Sequence, residues 1–140
     1  MTSILVVDDN RDIATFISFA LRARGHAVRT ADDGVTALYA ITRDCPELVI
    51  CDVALPYLSG AQLCRILQAD LDYRHVAFIF MSGNPESSLP PRIGSYAAFL
   101  DKPFELKLLC ATVEQVAAAL PIRLAGLSNA AGAAPNRLSA

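Results

Sequence analysis

Ile4-Leu5-Val6-Val7-Asp8-Asp9 opens the chain with a run of four apolar residues, closed by two adjacent carboxylates. An unbroken apolar run of this length is expected of a strand covered on both faces, because a strand with one wet face would alternate. The same grammar recurs along the chain. Leu48-Val49-Ile50-Cys51 runs into Asp52, residues 76–81 run into Ser82, and residues 97–100 are followed by Lys102-Pro103. Ala27-Val28-Arg29-Thr30 supplies a shorter second strand.

Between these runs the periodicity changes to that of helices. Ile13, Phe16, Ile17, Ala20 and Leu21 recur at helical spacing, with Asn10 or Asp12 as a start cap and Gly25 as a C-terminal stop. Val35, Leu38 and Ile41 mark a second helix that begins around Asp33-Gly34 and ends before Pro46. After a loop over residues 53–59, Gly60 leads into a third helix with Leu63, Ile66 and Leu67 on one face. Leu109, Val113, Val116 and Leu120 line a last helix that Pro121 is expected to end.

Strands alternating with helices imply an α/β domain with a doubly wound parallel sheet, since right-handed crossovers place helices on both faces. Ligands then collect at the carboxyl ends of the strands. A flavodoxin-like order 2-1-3-4-5, which spacing alone does not dictate, sets the first and third strands side by side and brings Asp8 and Asp9 next to Asp52.

The 140 residues fit one domain, expected over 1–121, and a chain of this size buries roughly 70% of its unfolded surface. A hydrophobic content of 54% and a net charge of -2 argue against a nucleic-acid surface, which shows clustered Lys and Arg. No apolar stretch reaches the roughly 18 residues of a membrane span, so no membrane contact and a cytoplasmic location are expected. Cys45, Cys51, Cys64 and Cys110 form no C-x-x-C pair and are expected as buried, reduced thiols.

Three converging carboxylates need a counter-ion or shifted pKa values: two like charges about 4 Å apart repel by roughly 4 kcal/mol at an effective dielectric near 20. Magnesium suits such a cluster, being a hard cation that takes a few carboxylates and keeps waters for a phosphate. Lys102 offers a point charge for a phosphoryl oxygen, Ser82 a hydroxyl for another, and Asp52 a carboxylate able to accept a phosphoryl group. Each also has a plainer reading. Ser82 can be a turn hydroxyl before Gly83-Asn84, Phe99 a core aromatic, and Lys102 a simple offset to acidic neighbours.

Asp8-Asp9, the stretch Asp52-x-x-Leu55-Pro56-x-x-x-Gly60, Ser82, Phe99 and Lys102-Pro103 together resemble the receiver domain of bacterial response regulators, over about residues 3–120. The resemblance implies that Asp52 is the phosphoacceptor, and that Asp8, Asp9, Asp52 and the carbonyl of Ala54 hold Mg2+. It also implies that Lys102 contacts the phosphoryl group, and that Ser82 and Phe99 form a coupled switch. The donor would be a sensor histidine kinase or a histidine phosphotransfer protein, and the output a downstream protein target. No enzymatic activity is implied beyond the domain's own phosphorylation and dephosphorylation.

The chain departs from that pattern after Ser82. Pro90-Pro91 falls where the fourth helix would run, and a proline inside a helix costs about 3 kcal/mol or more, so that helix is expected to be short or absent, at most a turn beginning at the prolines. The stretch is then expected to be a mobile segment that orders on phosphorylation or partner binding. Phe99 lacks the hydroxyl of the tyrosine often found there in the family, and at positions that the resemblance implies tune phosphoryl lifetime, Ala54 and Asn84 place no charge near attacking water. Residues 122–140, rich in Ala, Ser, Asn and Gly, are expected as a flexible tail or linker, with the receiver acting alone or belonging to a longer protein. The leading function is a phosphorylation-dependent signalling switch, and the alternative is a receiver-like interaction module that takes no phosphate. A flavin carrier or an aspartate-nucleophile phosphatase ranks last. The loop after the first strand is too acidic for a flavin phosphate, and the phosphatase needs two aspartates separated by one residue, whereas Asp8 and Asp9 are adjacent.

Overall fold

The computed structural model describes residues 1–120. Five parallel strands, β1 (Ser3–Val7), β2 (Ala27–Ala31), β3 (Leu48–Asp52), β4 (Ala77–Ser82) and β5 (Ala98–Asp101), form one sheet in the order β2-β1-β3-β4-β5. Helices α1 (Arg11–Ala23), α2 (Gly34–Arg43), α3 (Gly60–Gln68) and α4 (Leu106–Ala118) cover its two faces. The fold is therefore the flavodoxin-like α/β architecture expected. The anticipated tail over 122–140 and the helix stop at Pro121 lie outside the described residues.

Alternate residues of each central strand feed two separate cores, which is why the strands are apolar throughout. Leu5, Val7, Val49, Cys51, Phe78 and Phe80 face α2 and α3. Ile4, Val6, Leu48, Ile50, Ile79 and Met81 face α1 and α4. Caps set the helix starts. Asn10 rather than Asp12 caps α1, its side chain accepting from the N–H groups of Asp12 and Ile13, and Asp33 caps α2 through Thr36. Ser59 and Gln62 close a reciprocal capping box on α3.

The apolar stripes are narrower than helical spacing suggested. Phe16, Val35 and Ile66 are 60%, 55% and 42% exposed, because only the arc centred on residues such as Ile17 and Leu21 in α1 meets the sheet. Leu120 lies beyond the end of α4 at Ala118. Cys45 is exposed rather than buried: it sits in the loop between α2 and β3, where Pro46 instead turns inward.

No α-helix joins β4 to β5. One 3-10 turn, Glu86–Ser88, precedes Pro90-Pro91 instead of beginning at them, and the remaining chain is irregular. This strap nonetheless covers the sheet in the helix's place. Ile93 is buried, Leu89 and Tyr96 pack on the same core, and the Tyr96 ring meets Phe80 edge to face at 5.4 Å. The Tyr96 hydroxyl donates to Glu86, and this bond holds the phenol above its usual pKa.

Gly60 positions the site. Its N–H donates to the Val53 carbonyl at 2.8 Å, and a Cβ there would collide with the Asp52 carbonyl oxygen and crowd Cys51 Sγ. Gly60→Ala is therefore expected to cost about 1–3 kcal/mol as an overpacking change, read as a lower urea midpoint with unchanged slope.

Candidate functional site

The parallel register delivers every expected polar group to one end of the sheet. Asp8 follows β1 directly, Asp52 ends β3, Ser82 ends β4, and Lys102 follows β5. Adjacent pairing of β1 with β3 and of β3 with β4 brings the first three together, with Asp52 opposite Met81 and Ser82 opposite Asp101.

Asp8 is fully buried, Asp52 is 9% exposed and Asp9 is exposed. One oxygen from each of these carboxylates can be chosen so that all three lie within 4.8 Å of one another. Lys102 bridges two of them: its Nζ donates to Asp8 Oδ2 and to Asp52 Oδ2, each at 2.8 Å. The other oxygens are held by backbone, Asp8 Oδ1 accepting from Asn10 N–H at 2.9 Å and Asp52 Oδ1 from Ala54 N–H at 3.1 Å. These bonds fix both carboxylate planes without neutralising their charge.

Burial disfavours the charged form of Lys102, but its bonds to Asp52 and Asp8 and their negative charges outweigh it, and the ammonium pKa is raised above the ordinary lysine value. The one ammonium pairs with two of the three carboxylates, so the cluster retains excess negative charge. Together with the exposure of Asp9, this fits a hydrated divalent cation.

The remaining expected residues flank this centre. Ser82 is buried, and its Oγ accepts from Asn84 N–H at 2.9 Å at the root of the strap. Lys102 N–H donates to the Ser82 carbonyl at 2.7 Å, and the Lys102–Pro103 bond is cis. Phe99 is partly buried, stands opposite Phe80 in the sheet and packs against the same core as Leu89 and Tyr96 of the strap. Ala54 is exposed and contributes its N–H to Asp52.

Two features were not anticipated. Lys102 binds Asp8 as closely as Asp52, a pairing that only the crossover topology reveals. A cleft of about 340 Å³ opens beside Asp8, lined also by Arg11, Thr15, Thr30 and Thr36, and Arg11 pairs with Asp32 at 3.1 Å. Asp32, just after β2, lines the same cleft.

Comparison with known proteins identifies the family. Residues 4–114 match the response regulator receiver domain family model. The chain is 32% identical over 114 residues to the response regulator MprA of Mycobacterium leprae, covering 79% of this chain and 48% of that protein. It is 34% identical over 110 residues to the DNA-binding response regulator MtrA of Mycolicibacterium paratuberculosis, again covering 79% and 48%. The chain thus spans about half the length of these relatives. Among solved structures it resembles the chemotaxis response regulator CheY4 of Vibrio cholerae, with a TM-score of 0.76 at 27% identity, covering 83% of this chain and 98% of that one. A response regulator receiver domain protein of Clostridium thermocellum gives a TM-score of 0.73 at 27% identity, covering 82% and 93%. By fold, ordered acidic cluster and family match, this chain belongs to the response regulator receiver domain family of two-component signalling.

Proposed function

We propose that the domain is a phosphorylation-dependent signalling switch in which Asp52 accepts a phosphoryl group from a phosphohistidine donor, a sensor histidine kinase or a histidine phosphotransfer protein. The observation that carries this reading is the fork made by Lys102, whose ammonium lies 2.8 Å from both Asp8 and Asp52 within a cluster of three carboxylates. A carboxylate so held presents an oxygen to phosphorus: an O–P bond forms at Asp52 as the P–N bond to the donor imidazole breaks. Lys102 then has a phosphoryl oxygen within its reach, and the Ser82 hydroxyl can donate to another.

Mg2+ fits the donor set, with Asp8, Asp9, Asp52 and the Ala54 carbonyl as the groups that would hold it, and it supplies charge neutralisation for the phosphoryl oxygens when bound. The protein's own part is to aim Asp52 and to place one fixed positive charge beside it. Catalysis extends only to the domain's own phosphorylation and dephosphorylation.

Turning the Ser82 hydroxyl toward a phosphoryl group releases Asn84 N–H, and repacking of Phe99 follows. Reversing a population from 1:99 to 99:1 needs about 5.5 kcal/mol of differential stabilisation, a scale within reach of several charge-assisted bonds. Exchange of the backbone amides over residues 84–95 is expected to change when beryllofluoride and Mg2+ are added. Unchanged exchange would remove the strap from the switch.

The altered surface is read by a downstream protein. MtrA is a DNA-binding response regulator, about half of whose length this chain spans; this domain, with a net charge of -2, is not proposed to contact nucleic acid itself. Among the described residues no helix is long and apolar enough to cross a membrane, and the proposed site of action is the cytoplasm. The test is incubation with acetyl phosphate and Mg2+ followed by intact mass. Magnesium-dependent gain of one phosphoryl group is expected. No gain, with this donor and with a phosphorylated histidine phosphotransfer protein, would favour the phosphate-independent interaction module.

A further inference from the structure

A second pair of metal-ligating side chains meets at the opposite end of the sheet. Cys45 lies in the loop before β3 and His75 in the loop before β4. Because Leu48 pairs with Ala77 in the parallel register, the residues just ahead of these two strands are neighbours by topology. Cys45 Sγ stands 3.9 Å from His75 Nε2, and both residues are exposed. Sγ also lies 3.5 Å from the Pro46 carbonyl oxygen.

A weak thiol–imidazole hydrogen bond accounts for that distance, but so does readiness for a shared ion. Zinc bonds of about 2.3 Å to sulfur and about 2.0 Å to nitrogen, at a tetrahedral angle, set the two ligand atoms about 3.6 Å apart. Zinc ligation therefore asks the pair to close by about 0.3 Å. The facing nitrogen is Nε2, a ring position that ligates metals in its neutral form.

We propose that Cys45 and His75 form a two-residue surface site for a borderline-soft divalent transition metal, of which zinc is the best match, with water in the remaining positions. On binding, Sγ–metal and Nε2–metal bonds form, the thiol proton passes to solvent, and no oxidation state changes. Affinity therefore rises with pH as the thiol proton is lost more easily. The ion would tie the α2–β3 loop to the α3–β4 loop, remote from Asp52, and the site stands whether or not the phosphorylation reading does.

Cobalt(II) is the probe, because thiolate ligation gives a near-ultraviolet charge-transfer band that carboxylate ligation at the acidic cluster does not. Titration of the full reduced chain is expected to give a band that saturates at one ion per chain and is displaced by Zn2+. Cys45→Ser should abolish it. His75→Gln should weaken cobalt affinity by at least about tenfold, since loss of even an outer-shell partner typically costs that much. Urea midpoints near wild type for both variants would show that the fold is intact. Absence of the band, its survival in Cys45→Ser, or unchanged affinity in His75→Gln would each overturn the proposal and leave only a hydrogen-bonded pair.

Discussion

Asp52→Asn is expected to take up no phosphoryl group from acetyl phosphate and Mg2+ under conditions where the wild-type chain gains one. Asparagine keeps the shape of the side chain and an oxygen able to accept the Ala54 N–H, so the local backbone is preserved. What it removes is the negative charge and the nucleophilic oxygen paired with Lys102. Intact-mass spectrometry of both proteins reads the result directly, and acyl-phosphate lability to hydroxylamine identifies the linkage on the wild type. A phosphoryl mass persisting on the variant would move the acceptor elsewhere, and Asp8 and Asp9 would be the nearest groups to examine.

Lys102→Met should produce the second large effect, and it divides into three measurements. Without metal, loss of the ammonium leaves the fully buried Asp8 and the nearly buried Asp52 facing each other without their shared partner. Breaking such a pair typically costs about 3 kcal/mol, read as a lower urea midpoint. Mg2+ should recover part of that loss, and its affinity should exceed the wild-type value because the competing internal cation is gone. Phosphoryl uptake should nevertheless fall about 10²–10³-fold, the usual cost of removing one group that stabilises developing charge. If stability drops while uptake is unchanged, Lys102 is only a structural counter-charge.

The same residue sets an alkaline signature. The Lys102 pKa is raised in the folded protein, so its contribution is fully present below the ordinary lysine value of about 10.4 and is lost as pH climbs through the raised value. The stability difference between wild type and Lys102→Met should therefore be constant through neutral pH and shrink above about pH 10. A difference that shrinks on acidification alone would assign the coupling to the carboxylates instead.

Much of this architecture was legible because the strongest signals are of two kinds that do not compete. Continuous apolar strands such as residues 4–7 and 48–51 announce burial on both faces, and each ends at a polar residue that has no reason to lie in a core. Helix exposure was harder to judge. Phe16, Val35 and Ile66 fall within helical spacing, yet the sheet presents each helix with an arc too narrow to cover them. Pro90-Pro91 correctly marked the missing helix, because a lost donor and a ring clash are local events. They could not reveal that Leu89, Ile93 and Tyr96 would still seal the core, since irregular backbone has no period to read. For the site, chain order named the carboxylates and the lysine. The double pairing of Lys102 depended on contacts 94 and 50 residues apart, for which no spacing rule exists.

Calorimetric titration of Mg2+ into the wild-type chain and into an Asp8→Asn/Asp9→Asn variant bears most directly on the acidic cluster. Uptake of one ion per chain by the wild type, lost in the double variant, is the predicted result. No heat of binding in the wild type, or binding unchanged after both aspartates are neutralised, would contradict it.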